Sequence, residues 1–145
     1  MKVLIQRVKR ASVSINNETH SSISAGILAF VGIEKGDSTK NADKLADKIV
    51  NLRIFPDENG KMNRSLLDVS GEMLIVSQFT LCGDCKKGTR PSFDNSAPPN
   101  EANELYEYFK TQILSAGVKI ASGVFGAMMD IELINDGPVT FMLEF

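Results

Sequence analysis

The chain has 145 residues, of which 43% are hydrophobic and 23% are charged, and its formal net charge at pH 7 is −2. This composition fits one globular domain with a sizeable core and excludes a disordered or fibrous chain. The slight negative charge argues against a broadly basic surface that wraps DNA or RNA, but it is compatible with a local basic strip. There is no apolar run of about 20 residues to span a membrane and no signal-peptide cleavage region, so we expect a cytoplasmic protein.

The N-terminal third of the sequence predicts β-strands. Residues 2–8 are rich in apolar side chains, and residues 11–15 alternate apolar side chains with serine. Asn16 and Asn17 are typical of a hairpin turn, and residues 27–33 form another apolar run between glycines. Alternation with a period of two is the pattern of a half-buried strand.

One cation interrupts the apolar face of the first strand. Arg7 falls on the same face as Val3 and Ile5. Either its guanidinium points toward the core and finds hydrogen-bond acceptors there, or a bulge returns the side chain to solvent. The periodicity leaves both alternatives open.

Two helices are predicted. Ser38 can cap the first, whose apolar stripe at helical spacing comprises Ala42, Leu45, Ala46, Ile49 and Leu52. The second begins after Asn100 and ends at Gly117, with an inner stripe of Leu105, Tyr108, Phe109, Ile113 and Ala116. Between the helices, residues 56–60 predict the turn of a hairpin.

The remaining segments complete the predicted fold. Residues 73–81 indicate a buried strand, residues 82–99 a long loop, and residues 129–133 and 139–145 alternating strands. The element order β-β-β-α-β-β-α-β-β indicates an α+β class. We therefore predict a single compact domain over residues 1–145, a mainly antiparallel β-sheet or barrel with two helices.

The sequence lacks conventional hydrolytic or metal-binding machinery. The only histidine, His20, lies in a polar, turn-like segment, and there is no P-loop, nucleophile elbow or zinc-protease pattern. Cys82 and Cys85 form a lone Cys-x-x-Cys pair without two further zinc ligands. We interpret them as structural or incidental thiols, with a redox or metal-binding role as the alternative, and expect neither metal nor cofactor.

The end of the strand over residues 73–81 offers the best candidates for a site. Its polar segment consists of Ser77, Gln78, Phe79 and Thr80. One interpretation is a buried strand whose hydroxyl groups bond to neighbouring backbone. The other is a site that positions a substrate, with backbone N–H groups that hold a carbonyl or oxyanion. Thr80 is a possible nucleophile, but the sequence offers it no base.

Gly137 and Pro138 follow Asn135 and Asp136 near the C-terminus. Such a segment is typical of a tight turn. Alternatively, the glycine lets backbone approach a ligand closely and the proline fixes the geometry of that approach.

The long loop contains three cations, Lys86, Lys87 and Arg90, followed by the aromatic ring of Phe93. A solvated run of charges is one interpretation. The other is a clamp for the phosphates of an RNA chain, with the ring available to a base.

Taken together and in this order, these motifs resemble the D-aminoacyl-tRNA deacylase family. The resemblance extends over the whole chain and includes Arg7 and residues 51–55, 77–81, 88–93, 125–129 and 135–140. It implies an enzyme of translation quality control that acts on the 3′ end of aminoacyl-tRNA. The implied reaction is hydrolysis of the ester that joins a D-amino acid to the terminal adenosine, with glycyl-tRNA also accepted and L-aminoacyl-tRNA rejected.

The resemblance also implies where the site lies. The active form would be a homodimer with its pocket at the subunit interface, and Ser77, Gln78, Phe79 and Thr80 would line that pocket near Phe125 and Met129. Gly137-Pro138, in the cis form, would reach into the partner's pocket as the chirality filter, supported by Arg7. The RNA 2′-hydroxyl would help to activate the attacking water. Lys86, Lys87 and Arg90 are the candidate RNA contacts.

Two other functional classes remain compatible with the sequence. One is a non-catalytic tRNA-binding module of the same fold. The other is a thiol protein that acts through Cys82 and Cys85.

Overall fold

Strand β1 (Lys2–Ile15) is the centre of the sheet and pairs with three other strands. In the computed structural model, which describes residues 1–145, its first half pairs antiparallel with β3 (Gly26–Gly32) and its second half with β2 (Glu18–Ile23). Its other edge pairs antiparallel with β8 (Asp130–Glu144). The two strands predicted within residues 2–15 are therefore one strand, and those within residues 129–145 are also one.

The rest of the main sheet is parallel. β6 (Glu72–Ser77) pairs with β3, and β7 (Lys119–Ser122) pairs with β6, which gives the order β2-β1-β3-β6-β7. The hydroxyl of Ser21 on β2 donates to the carbonyl of Ser122 on β7 at 2.8 Å, so the sheet nearly closes into a barrel. The predicted α+β class with a barrel-like sheet is confirmed.

The segments between the parallel strands form the two helices and a small hairpin. α1 (Thr39–Asn51) begins after Ser38, the predicted cap, whose backbone N–H donates to the side-chain oxygen of Asn41 at 2.9 Å. The hairpin consists of β4 (Phe55–Pro56) and β5 (Met62–Arg64), and α2 spans Pro99–Ser115. Neither helix has the length and apolarity needed to cross a bilayer.

Several predicted details of these elements were wrong. α2 begins at Pro99, not after Asn100, because a proline at the first helical position lacks only an N–H that would be unpaired there. Its innermost tyrosine is Tyr106, whereas Tyr108 is half-buried and Ala116 is exposed. β7 was not predicted, since its short sequence has no clear alternation.

The strands β3 and β6 of the main sheet are buried on both faces. A cluster of 23 buried residues lies between one face and the two helices, and a cluster of 7 lies on the opposite, concave face. Along β6, Met73 and Ile75 belong to the first cluster, while Leu74 and Val76 belong to the second. Burial on both faces explains why the central strands read as continuous apolar runs.

Gly26 allows the closest approach between two strands. A β-carbon at this position would lie 1.9 Å from the carbonyl oxygen of Glu72 on the paired strand β6. We expect Gly26→Ala to lower the free energy of unfolding by at least about 2 kcal/mol, because the strands must separate to admit the methyl group. Ala25→Ser, at an exposed neighbouring residue, is the control and should change it little. Equal denaturant midpoints for the two variants would contradict this account.

Candidate active site

The parallel strands β3, β6 and β7 end at one edge of the sheet, and a cavity of about 510 Å³ lies there. The crevice outside the carboxyl ends of parallel strands is a common place for ligand binding. Segments that follow each strand line it, together with the start of α2 and an inward-facing part of β8. Most of the lining side chains are apolar. The cavity therefore suits a ligand with apolar surface and few polar groups.

The structure brings five of the predicted site residues together. Ser77, Gln78 and Phe79 line one wall of the cavity, and Phe125 and Met129 line the facing segment after β7. The carboxylates, lysines and arginines of the chain are absent from this lining, as is its one histidine. The cavity thus has polar amide and hydroxyl groups at one wall, but it has no carboxylate, amine or imidazole that could serve as a general base.

Thr80 is placed differently from its prediction. β6 ends at Ser77, and residues Phe79–Cys82 form a 3₁₀ turn where the sequence predicted a continuing strand. The turn takes Thr80 out of the cavity lining to an exposed position, where its hydroxyl accepts a hydrogen bond from the side-chain amide of Gln78. No base lies within this pair, so the hydroxyl has no structural means of activation.

The same turn begins at the cavity wall with Phe79. The amides of Phe79 and Thr80 open the turn, and the first N–H groups of a helical turn have no acceptor within it. The preceding amide, that of Gln78, donates to the carbonyl of Val31 at 2.8 Å and ties the turn to the end of β3. The turn is therefore anchored to β3 where it meets the cavity residues Gln78 and Phe79.

Tyr106 supports the cavity from behind and was missed by the sequence analysis. Its buried hydroxyl donates to the carbonyl of Ile75 at 2.8 Å, and its ring lies 6.0 Å from that of Phe125. The amide of Gly123 donates to the same carbonyl at 3.0 Å. Burial raises the pKa of Tyr106, so the phenol stays protonated and remains a donor. The carbonyl of Ile75 on β6 thus joins that strand to α2 and to the segment after β7.

Gly137 and Pro138 lie on a bulge of β8, away from the cavity lining. Gln6 on β1 pairs with Thr140, whereas Val8 pairs with Asn135, so four residues of β8 lie opposite the single residue Arg7 of β1. The Gly137-Pro138 peptide bond is cis, and both residues are exposed. They do not line the cavity of their own chain. The bulge is therefore a surface projection and not the simple tight turn between two strands.

Two side chains hold this bulge in shape. The side chain of Asn135 accepts from the amide of Val139 at 2.8 Å and donates to the hydroxyl of Thr140 at 2.9 Å. Arg7 donates to the carbonyl of Asp136 at 3.0 Å and pairs with the Asp136 carboxylate at 3.3 Å. Asn135 therefore joins the two ends of the segment to each other, and Arg7 joins the segment to β1.

The side chain of Arg7 points toward the core, which is one of the two alternatives that the sequence left open. The residue is 9% exposed, and its guanidinium also donates to the carbonyl of Ile54, just before the β4–β5 hairpin. These acceptors offset the cost of removing a cation from water. The bulge of β8, rather than a bulge that expels Arg7, explains the interrupted register.

β8 and the C-terminal residue expose apolar side chains on both sides of the bulge. Ile134, Phe141, Met142 and Phe145 are each between 37% and 49% exposed. Exposed large apolar side chains of this kind are candidates for contact with another molecule. The projection of Gly137 and Pro138 stands within this strand.

The predicted RNA contacts lie on an exposed loop. Lys86, Lys87 and Arg90 are all exposed, and none forms an ion pair. The loop is closed by a two-bond bridge between Asp84 and Ser92. It therefore carries three uncompensated positive charges at its tip.

The two cysteines differ in environment. Cys82 is buried with its sulfur 3.5 Å from the carbonyl of Ile33, whereas Cys85 is exposed, and both are free thiols. Burial raises the pKa of Cys82, which lowers its reactivity. His20 is exposed on β2, and no group of three or more metal-binding side chains occurs in the structure.

Comparison with known proteins gives consistent matches over the full chain. A family model described as D-Tyr-tRNA(Tyr) deacylase matches residues 4–144. A protein of Geotalea daltonii named D-aminoacyl-tRNA deacylase is 58% identical over 99% of this chain and 96% of its own length. A protein of the same name from Thermodesulfovibrio yellowstonii is 56% identical over 99% of both chains.

Two solved structures share the fold. One, described as c-Myc DNA Unwinding Element Binding Protein, has a TM-score of 0.95 and 41% identity, covering 100% of this chain and 99% of that chain. The other, described as a probable eukaryotic D-amino acid tRNA deacylase, has a TM-score of 0.83 and covers 99% of this chain and 98% of that chain. At 17% identity, the second match supports the fold alone.

The thiol environments predict a selective alkylation. Iodoacetamide should modify one cysteine per native chain, Cys85, and should reach Cys82 only after unfolding. Peptide mass spectrometry of native and denatured samples measures both sites, and Cys85→Ser is the control. Faster modification of Cys82 than of Cys85 in the native protein would contradict the assignment of Cys82 as an inert core thiol.

Proposed function

The chain belongs to the D-Tyr-tRNA(Tyr) deacylase family and is a D-aminoacyl-tRNA deacylase, and we propose that the cavity beside Ser77, Gln78 and Phe79 binds the aminoacyl end of its substrate. The observation that carries this proposal is the 3₁₀ turn at the cavity wall. Phe79 opens this turn and lines an apolar space in which charged side chains are absent, and we assign the amides that open the turn as donors to the substrate. The reaction releases free tRNA and a D-amino acid. We place it in the cytoplasm, where aminoacyl-tRNA is used.

The chemistry assigned to the protein is positioning and charge stabilisation. The ester carbonyl lies against the amides of Phe79 and Thr80, which donate to its oxygen as negative charge develops. Water adds to the carbonyl carbon and the bond to the ribose oxygen breaks. The neighbouring 2′-hydroxyl of the terminal adenosine assists the water's attack, because the cavity lining has no side-chain base.

Rejection of L-amino acids is assigned to Gly137 and Pro138 of a second copy of the chain. The motif is exposed and braced by Arg7, and it is not part of its own chain's cavity. The exposed apolar side chains of β8 are a surface that a homodimer would cover, which would carry the motif to the partner's cavity. Backbone atoms at the cavity mouth exclude an L side chain by overlap, whatever its identity. Glycine has no side chain to exclude, so glycyl-tRNA is a substrate as well.

A tRNA-binding module without catalysis was the alternative that the sequence left open, and the match to proteins named D-aminoacyl-tRNA deacylase favours the enzyme over it. Incubation with D-aminoacyl-tRNA separates the two candidates. A binding module protects the ester from spontaneous hydrolysis, whereas a deacylase releases the amino acid.

The mechanism predicts which group is indispensable. Thr80→Ala should keep most of the hydrolytic activity, because the side chain lies outside the cavity and lacks a base. A substrate whose terminal adenosine has hydrogen in place of the 2′-hydroxyl should react at least about a hundredfold more slowly, the usual contribution of general acid–base assistance. Single-turnover rates on matched ribo and deoxy substrates measure the effect. A covalent acyl-Thr80 intermediate trapped during turnover would exclude this mechanism.

The preference of the enzyme for D over L substrates should depend on the hydrogen bonds that hold the bulge in shape. Arg7→Ala removes the donors to Asp136 and Ile54, and we expect the ratio of L- to D-alanyl-tRNA hydrolysis to rise by about tenfold or more. Gly137→Ala should impair activity, since a methyl group there would lie 2.7 Å from Val139 and 3.1 Å from Arg7.

Arg7→Lys is the matched control for the charge. It keeps the positive charge but replaces the forked guanidinium by one ammonium. The ratio of L- to D-alanyl-tRNA hydrolysis should therefore lie between those of the wild type and Arg7→Ala. The ratio of the two rates is insensitive to the fraction of folded enzyme. An unchanged ratio in Arg7→Ala would refute the supporting role.

A further inference from the structure

Phe79 and Phe93 form an exposed aromatic pair beside the cavity. Their ring centroids are 5.0 Å apart at an interplanar angle of 62°, an edge-to-face contact. Phe79 is 58% exposed and lines the cavity, whereas Phe93 is 37% exposed and lies outside its lining. Large aromatic rings are usually buried, whereas these two are exposed and extend the cavity wall outward. We call the pair of Phe79 and Phe93 the ledge.

Backbone contacts fix the position of the Phe93 ring in this ledge. A β-carbon at Gly83 would lie 3.0 Å from the ring of Phe93, so the ring packs directly against the glycine. Phe93 also follows Ser92, whose backbone exchanges two hydrogen bonds with Asp84 at 2.7 and 3.0 Å. The ring is therefore held at the base of the bridge, and its position is tied to that of the loop.

The loop beyond the bridge adds positive charge next to the ledge. Between Asp84 and Ser92 it carries Lys86, Lys87 and Arg90, all exposed and free of ion pairs, on a chain whose net charge is −2. Cavity, exposed rings and cations thus follow one another along the surface. Aromatic rings beside a positive groove are the usual means of binding single-stranded nucleic acid.

We propose that Phe93 is a stacking platform for the unpaired nucleotide that precedes the terminal adenosine, and that the loop cations contact the phosphates on either side of it. This site rests on the proposed function, because it presumes that the terminal adenosine occupies the cavity. It extends that function from the aminoacyl group to the single-stranded RNA end. It also gives a globally acidic protein a local means of binding a polyanion.

The test compares binding of adenosine with binding of the dinucleotide cytidylyl-adenosine, both uncharged by an amino acid. Wild-type protein should bind the dinucleotide about tenfold more tightly, the contribution expected of one base on an aromatic ring. Phe93→Leu, which keeps apolar packing but removes the flat ring, should lose this gain. Phe93→Tyr restores the ring and should recover it. Protein-observed NMR titration measures these weak affinities.

The loop cations are tested with the same ligands. Replacing Lys86, Lys87 and Arg90 together by glutamine should weaken dinucleotide binding and flatten its dependence on salt concentration, whereas adenosine binding should change little. Lys44→Gln, an exposed cation on α1, is the matched control and should leave both affinities as in the wild type.

Three results would overturn the proposal. These are equal affinity of the wild type for both ligands, full retention of the dinucleotide gain in Phe93→Leu, or its loss in Phe93→Tyr. Hydrolysis of D-alanyl-tRNA by the wild type is measured in parallel. Failure of the proposed function appears only there, as an intact ester, whereas failure of the platform appears in the binding ratios.

Discussion

The hydrogen bonds of the buried Arg7 guanidinium are the interaction on which the arrangement of the proposed site depends. A cation removed from water must be surrounded by acceptors, and its acceptors come from two distant parts of the chain, Ile54 and Asp136. The geometry of the β8 bulge is therefore set by a charge on the central strand β1. Gly137 lies against the same guanidinium, so the exposed backbone beside it is held by the core and not by solvent-exposed contacts.

In our proposal the site of one chain is divided between two places. The cavity lies where three parallel strands end, and its polar wall is the 3₁₀ turn that follows Ser77. The braced bulge lies on β8 and contributes nothing to the cavity of its own chain. Exposed apolar side chains lie on both sides of the bulge along the chain, and in our proposal a second copy of the chain covers them. Association of two copies then accounts for both features at once, since each bulge would complete the other chain's cavity.

Much of this arrangement followed from local sequence patterns. The inward position of Arg7 was one of two alternatives given by its alternation with Val3 and Ile5. The 3₁₀ turn could not be predicted, because Phe79 continues the apolar pattern of a strand, and the strand stops only where its partner β3 ends. Tyr106 was missed for a similar reason: its importance comes from a contact with Ile75, distant in sequence. Small residues of the cavity floor, such as Ala102, carry no sequence signal at all.

A heterodimer with two different defects tests the division of the site most directly. One chain carries Ala102→Phe, which fills its own cavity, and the other carries Arg7→Ala, which loosens its own bulge. Differently tagged chains are co-expressed, the heterodimer is purified, and hydrolysis of D- and L-alanyl-tRNA is measured. Our account predicts that the heterodimer hydrolyses the D substrate and rejects the L substrate as strictly as the wild type, because its open cavity receives the intact bulge of the partner. Leakage of the L substrate equal to that of the Arg7→Ala homodimer, or full activity of a monomer in sedimentation, would contradict it.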